Sequence, residues 1–284
     1  MTTQTDSKTL DPDSTSRRLT VMGVDTHFHD AGEGPALLLL HGSGPGVSAW
    51  SNWRVVYPAL AEGYRVIAPD QIGFNRTQPE GEVSYGRELW TEHALALMDE
   101  LGIDTFGVVG NSMGGAIALS MAVARPQAID RIVVMGTMGM PGEIPPGLAE
   151  VWGYDPSPES MRRLVELFAH DQSIVTDELV QMRYEASAEP VVRDAFAAMF
   201  PEPRQDGVDD LALSLEELRS ISQPVLLAHG YHDRIVPLRS TSLPLMDVLP
   251  DAQLHAFGQS GHWVMIEQPR AFTAAVLAFL REGG

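Results

Sequence analysis

Residues 106–118 of this 284-residue chain read FGVVGNSMGGAIA, and Ser112 stands at the centre of Gly110-Asn111-Ser112-Met113-Gly114. A G-x-S-x-G match alone is a weak signal. Here it follows an apolar run and precedes a stretch of small residues, the strand–turn–helix setting that a nucleophile elbow needs. A serine is a poor nucleophile at neutral pH unless a base takes its proton. Of nine histidines, His262 has the best context, a short polar loop (Gln259-Ser260-Gly261-His262-Trp263) just ahead of the last helical pattern. The acid that orients such a base lies between serine and histidine in chain order. Asp233 fits, following the apolar run 224–229 where the C-terminal end of a strand would expose it. His232 beside it reads as structural, and His27, His29, His93, His170 and His255 as core or surface residues.

A hydrolytic serine also needs donors for the oxygen that becomes negative. His41-Gly42-Ser43-Gly44-Pro45-Gly46 follows the first buried run, and Gly42 and Gly44 let the backbone approach a substrate closely. One N–H of this loop and the N–H of Met113 are the candidate oxyanion hole. A phosphate-binding loop is the bland reading, but the segment lacks the lysine of a P-loop and the spacing of a dinucleotide fingerprint.

The elements that must position these groups are legible as alternating patterns. Continuous apolar runs at 36–40, 65–69, 106–110, 131–135 and 224–229 fit strands buried on both faces of a mostly parallel sheet, with helices between them. The expected architecture is the α/β-hydrolase fold. Between 138 and 210 prolines and acids are frequent and apolar spacing turns helical, as in Met161, Leu164, Val165 and Phe168. This predicts a helical lid over 138–210 inserted into a core made of 19–137 and 211–284, with an amphipathic closing helix at 270–281. Residues 1–18 read as a polar tail.

Composition narrows the function classes. The chain is 44% hydrophobic, which suits one full-size domain with an insertion. Cysteine is absent, which removes disulfides, thiolate metal sites and a cysteine nucleophile. The single lysine, Lys8, lies in the tail and cannot supply a desolvated Schiff-base site. A formal net charge of −19 argues against nucleic acid as a partner. The sequence shows neither a run of about 18 apolar residues nor the apolar core of a signal peptide, so the expectation is a cytoplasmic protein with no membrane partner.

Five segments together, HGSGPGVSAWSNW (41–53), GNSMGG (110–115), MRYEAS (182–187), HDRIVP (232–237) and SGHW (260–263), resemble the meta-cleavage product hydrolases. These α/β-hydrolases cut a carbon–carbon bond in ring-fission products of aromatic degradation. The resemblance covers roughly residues 20–282. It implies a small-molecule substrate, a 2-hydroxy-6-oxo-hexa-2,4-dienoate, and no metal or organic cofactor. It also implies that Arg183 binds the substrate carboxylate, that Asn52, Asn111 and Trp263 hold the dienol end, that Ser43 sits at the oxyanion hole, and that the chain forms a homo-oligomer. The distal pocket is expected among Trp152, Phe168 and Met182.

Each assignment has a bland counterpart. Arg183 pairs with a surface carboxylate, Asn52 caps a helix, Trp263 only packs, or Asn111 only satisfies backbone. The HGSGPG segment and the lid run resemble hydrolases of single-ring products more than those of biphenyl or carbazole type, although Gly73-Phe74-Asn75-Arg76-Thr77 departs from that group and leaves the 6-substituent open. A carboxylesterase or lactonase, a perhydrolase, or a non-catalytic binding protein on the same scaffold are the competing functions.

Overall fold

The computed structural model describes residues 10–282. Eight strands form one sheet: β1 (Ser16–Val21), β2 (Val24–Ala31), β3 (Ala36–Leu40), β4 (Arg65–Pro69), β5 (Phe106–Asn111), β6 (Ile129–Met135), β7 (Val225–Gly230) and β8 (Ala252–Phe257). Their order across the sheet is β1-β2-β4-β3-β5-β6-β7-β8. Strand β2 runs antiparallel to both β1 and β4, and every other pairing is parallel. Central strands buried on both faces need apolar side chains in both directions, and β5 and β7 are buried along their whole length.

The five apolar runs coincide with β3 to β7. Strands β1, β2 and β8 have no such run. The outermost strands β1 and β8 alternate or expose most of their residues. Strand β2 buries Thr26, His27 and His29 around a single Phe28. The polar tail therefore stops short of residue 18: Pro12–Thr15 forms a helical turn and Ser16 opens β1. The hydroxyls of Thr15 and Ser16 bond the rings of His29 (2.8 Å) and His27 (2.9 Å), so polar residues near the terminus satisfy buried histidines of the next strand. Residues 1–9 of the predicted tail lie outside the described residues.

Helix Met113–Ala124 is apolar nearly all round and buried along most of its length, as an element between the sheet and another helix, Arg87–Glu100, must be. Helix Pro269–Arg281 packs against β7 and helix Tyr57–Ala61. Between β6 and β7 the described residues form helices only: Pro146–Trp152, Pro158–Phe168, Asp177–Ala188, Pro190–Met199, Gln205–Leu211 and Leu215–Ser220, with one short 3-10 turn. Ser157 and Thr176 cap two of them, accepting from the amides of Ser160 and Leu179. Met161, Leu164, Val165 and Phe168 form one buried face, as their spacing requires. Among the described residues no helix is long and apolar enough to cross a membrane.

Candidate active site

Parallel strands bring their C-terminal ends to one edge, and the chemistry gathers there. Ser112 follows β5 directly, with φ 55° and ψ −115°. A non-glycine residue in that region is strained, and the fold holds it by bonding the Ser112 amide to Met135 O at 2.9 Å. The turn is too tight for side chains on either side. A Cβ at Gly110 would lie 2.2 Å from Gly114 O, and one at Gly114 would lie 2.3 Å from Leu40 O on β3. Met113 is the first residue of its helix, so its N–H has no intrahelical acceptor. Its side chain is fully buried.

Asp233 and His262 come from the loops after β7 and β8. His262 Nδ1 lies 2.6 Å from Asp233 Oδ2, and the other carboxylate oxygen accepts from the amides of Ile235 (2.8 Å) and Val236 (2.9 Å). Burial alone would raise the Asp233 carboxyl. The charge of His262, with hydrogen bonds from His229 and His262, outweighs it and holds the group well below the usual carboxylate range. An ionised Asp233 fixes a proton on Nδ1 of His262 and leaves Nε2 free to act as a base. Gly136, with φ 52°, lets the backbone pass this pair: a Cβ there would lie 3.0 Å from both Asp233 Oδ2 and His262 Nδ1.

The loop after β3 is anchored by His41. Its Nε2 accepts from the Gln71 amide (3.0 Å), so Nδ1 carries the proton and donates to Gly42 O (2.8 Å). Gly42 passes close to the elbow, since a Cβ on it would lie 3.2 Å from Ser112 Cβ. That carbonyl bond orients the following amides.

Ser112 and His262 share a cavity of about 360 Å³ with Gly42, Ser43, Gly44, Asn52, Asn111, Phe168, Met182, Arg183 and Trp263. Among the described residues no carboxylate lines it, and Arg183 pairs with none. Arg183 Nη2 donates to Pro45 O (3.1 Å), and its guanidinium stands 5.6 Å over the Trp263 ring. Burial, then the nearby charge of Arg54, pushes the Arg183 guanidinium down to about 10, still charged at neutral pH. Asn52 lies in helix Ala49–Trp53, whose cap is Ser48, so its amide is not spent on capping. Its buried Nδ2 has no hydrogen-bond partner among the described residues, and the residue lines the cavity. Asn111 Nδ2 bonds Met135 O (3.2 Å) and also faces the cavity. Trp263 stacks on Phe168 (4.8 Å, 3°).

The chain matches the family model of the alpha/beta hydrolase fold over residues 35–269. It is 47% identical over 266 residues to 2-hydroxymuconate semialdehyde hydrolase of Pseudomonas sp. (strain CF600), covering 94% of each chain. It is 48% identical over 258 residues to 2-hydroxy-6-oxo-2,4-heptadienoate hydrolase of Pseudomonas putida F1, covering 91% of this chain and 93% of that one. A solved structure of the meta-cleavage product hydrolase from Pseudomonas fluorescens IP01 superposes with a TM-score of 0.92 at 45% identity, covering 94% of this chain and 98% of that one. The chain belongs to the meta-cleavage product hydrolases of the α/β-hydrolase superfamily.

In this hydrolase Trp152 departs from the sequence expectation. It does not line the cavity with Ser112 but a separate hollow on the far side of the Pro45–Gly46 turn. The reason is a hydrogen bond, indole Nε1 to Ser43 Oγ at 2.9 Å, which holds the ring behind the loop. Two residues of the hydrolase escaped the sequence reading. Arg54 lines the cavity, also without a carboxylate partner among the described residues, and burial pushes its guanidinium down. Its only sequence signal was a position two residues beyond Asn52. His229 braces the acid loop: Nε2 donates to Val236 O (2.8 Å) and Nδ1 accepts from Ser242 Oγ (2.7 Å). As the last apolar-strand position but one, it gave no sign of that task.

Proposed function

We propose that this enzyme hydrolyses the C5–C6 carbon–carbon bond of 2-hydroxy-6-oxo-hexa-2,4-dienoates, giving a 2-hydroxypenta-2,4-dienoate and a carboxylic acid, with hydrogen or a small alkyl group at C6. The observation that carries it is the unpaired Arg183 guanidinium in the cavity of Ser112. A planar fork of donors suits a carboxylate, and an ester hydrolase has no use for a half-buried cation in its cavity. The two curated relatives named above act on substrates with hydrogen or methyl at C6 by their names, which supports the small substituent.

Arg183, with Arg54 nearby, would hold the C1 carboxylate, while Asn52, Asn111 and Trp263 position the dienol. A proton then moves from the C2 hydroxyl to C5, which turns the diene into a 2,6-dioxo-enoate and makes the C2 ketone an electron sink. His262, oriented by Asp233, takes a proton from Ser112 or from a water as it attacks C6. The amides of Met113 and the Gly42–Ser43 region stabilise the C6 oxyanion. As that oxyanion collapses, the C5–C6 bond breaks, and its electron pair passes through the C3=C4 enone to the C2 oxygen, which takes the proton held by His262; where Ser112 was the nucleophile, a water activated by His262 then cleaves the acyl-serine to the carboxylic acid. The helices over 138–210 act as the lid that keeps water scarce around these steps. The chain is also read as a homo-oligomer, on the family resemblance.

The test is loss of the visible dienolate absorbance with 6-hydrogen, 6-methyl and 6-phenyl substrates. Fast bleaching of the first two, and bleaching slowed by roughly 10⁴-fold in Ser112→Ala, is the expected result. Preference for the 6-phenyl substrate would overturn the single-ring assignment. No bleaching of any, with folded protein, would transfer the site to ester or lactone hydrolysis.

A further inference from the structure

Resting on the active-site reading above, we propose that Trp152 is a positioning residue that turns the Ser43 hydroxyl into a donor for the C6 oxygen of the substrate, beside the two backbone amides.

An indole N–H can only donate, so across the 2.9 Å contact between Trp152 Nε1 and Ser43 Oγ the serine oxygen is the acceptor. The hydroxyl proton must therefore point elsewhere. Ser43 is 3% exposed, and its hydroxyl makes no other hydrogen bond among the described residues. What lies before it is the cavity it shares with Ser112 and His262. A serine hydroxyl left alone rotates and can accept as readily as donate. With one lone-pair site occupied by the indole, it is set as a donor before the substrate arrives, and preorganised donors act most on charge that develops in the transition state.

The indole is itself held. It stacks on Phe200 at 4.4 Å with an interplanar angle of 9°. The backbone of Gly207 touches the ring closely enough that a Cβ there would lie 3.1 Å from Cζ3. Trp152, Phe200 and Gly207 all belong to the segment between β6 and β7, whereas Ser43 belongs to the loop after β3. The same loop is gripped at Pro45 O by Arg183 and at Gly46, where a Cβ would lie 2.7 Å from the Ser187 amide nitrogen. The third donor therefore exists only when the helical segment is docked on the core.

The experiment is a kinetic double-mutant cycle on the dienoate that the wild type turns over. Trp152→Phe keeps an aromatic ring to face Phe200 but loses the N–H. The expected result is a kcat about 10-fold lower at unchanged KM, against on the order of 10²-fold for Ser43→Ala. The double variant should be no slower than Ser43→Ala, because an indole that acts through Ser43 has nothing left to orient. An unchanged kcat in Trp152→Phe, or losses that multiply in the double variant, would overturn the proposal. Melting temperatures check the fold. If Trp152→Phe is unstable, benzothienylalanine at position 152, isosteric but without the N–H, takes its place in the cycle. If no dienoate is turned over, the cycle is run on a p-nitrophenyl ester, whose carbonyl oxygen needs the same donors. Coupling there keeps the role of Trp152 while the carbon–carbon reading falls, and additive losses there reject it.

Discussion

Arg183 is a charge for which the described residues supply no counter-ion. Its guanidinium bonds one backbone carbonyl, Pro45 O, and otherwise faces a tryptophan and a second cation. Such an arrangement costs desolvation energy and contributes little to folding, and the proposed anionic ligand is the physical justification offered for it. Arg183→Gln should raise KM for the dienoate by roughly 10- to 100-fold, the range of a lost charge-assisted hydrogen bond, with the melting temperature little changed. Arg183→Lys should restore only part of the loss, because an ammonium lacks the planar fork. Steady-state kinetics with unchanged KM in Arg183→Gln would remove the carboxylate clamp.

At the scale of elements, residues proposed to bind are held by a residue that does not line the cavity. Asp70, fully buried at the end of β4, accepts from the Ala49 amide (2.7 Å) at the start of the helix that carries Asn52. It also bonds His27 Nδ1 on β2 (2.8 Å) and Asn75 Nδ2 (2.7 Å). Burial would raise its carboxyl, but the His27 and Ala49 hydrogen bonds, with the charge of His27, hold it below the usual range. One carboxylate thus joins a strand, a helix start and a cavity-lining turn. Asp70→Asn can keep an acceptor for the Ala49 amide but sets a donor against His27 Nδ1 and Asn75 Nδ2, and breaking a buried charged pair typically costs about 3–5 kcal/mol. Urea denaturation should show a loss of that order, and a loss under about 1 kcal/mol would mean that the network is not a structural centre.

Over the whole molecule, histidines kept neutral by burial make stability depend on pH. Burial, then the charge of His27, lowers His29 from its ordinary value of 6.5 to about 4, and burial alone does the same to His93. Between these limits the unfolded chain binds protons that the folded chain refuses. The stabilisation is complete above about pH 6.5 and is lost as pH falls through about 4. Calorimetry at pH 7.5, 6 and 5 should show a falling melting temperature. His93→Gln, which retains a hydrogen-bonding group beside Thr26 but cannot titrate, should flatten the slope. An identical slope in that variant would exclude His93 from the linkage.

The sequence by itself determined the elements whose residues are chosen by one dominant force. Strands β3 to β7 had to be apolar on both faces, and the elbow had to be glycine on both sides of Ser112, so both were legible as patterns. The order serine, acid, base in the chain and the motif around Arg183 likewise carried the family. Only the tertiary structure decided contacts between segments far apart in the chain. Strands β1, β2 and β8 hide because edge strands and histidine-filled strands lack an apolar run. Trp152, whose residue type suggested a pocket wall, became a hydrogen-bond donor to Ser43 because a helix more than a hundred residues later docks behind that loop. Arg54 and His229 are of the same kind. Local pattern records which face of an element is buried, but the partner that a polar group meets there is set by how the elements pack.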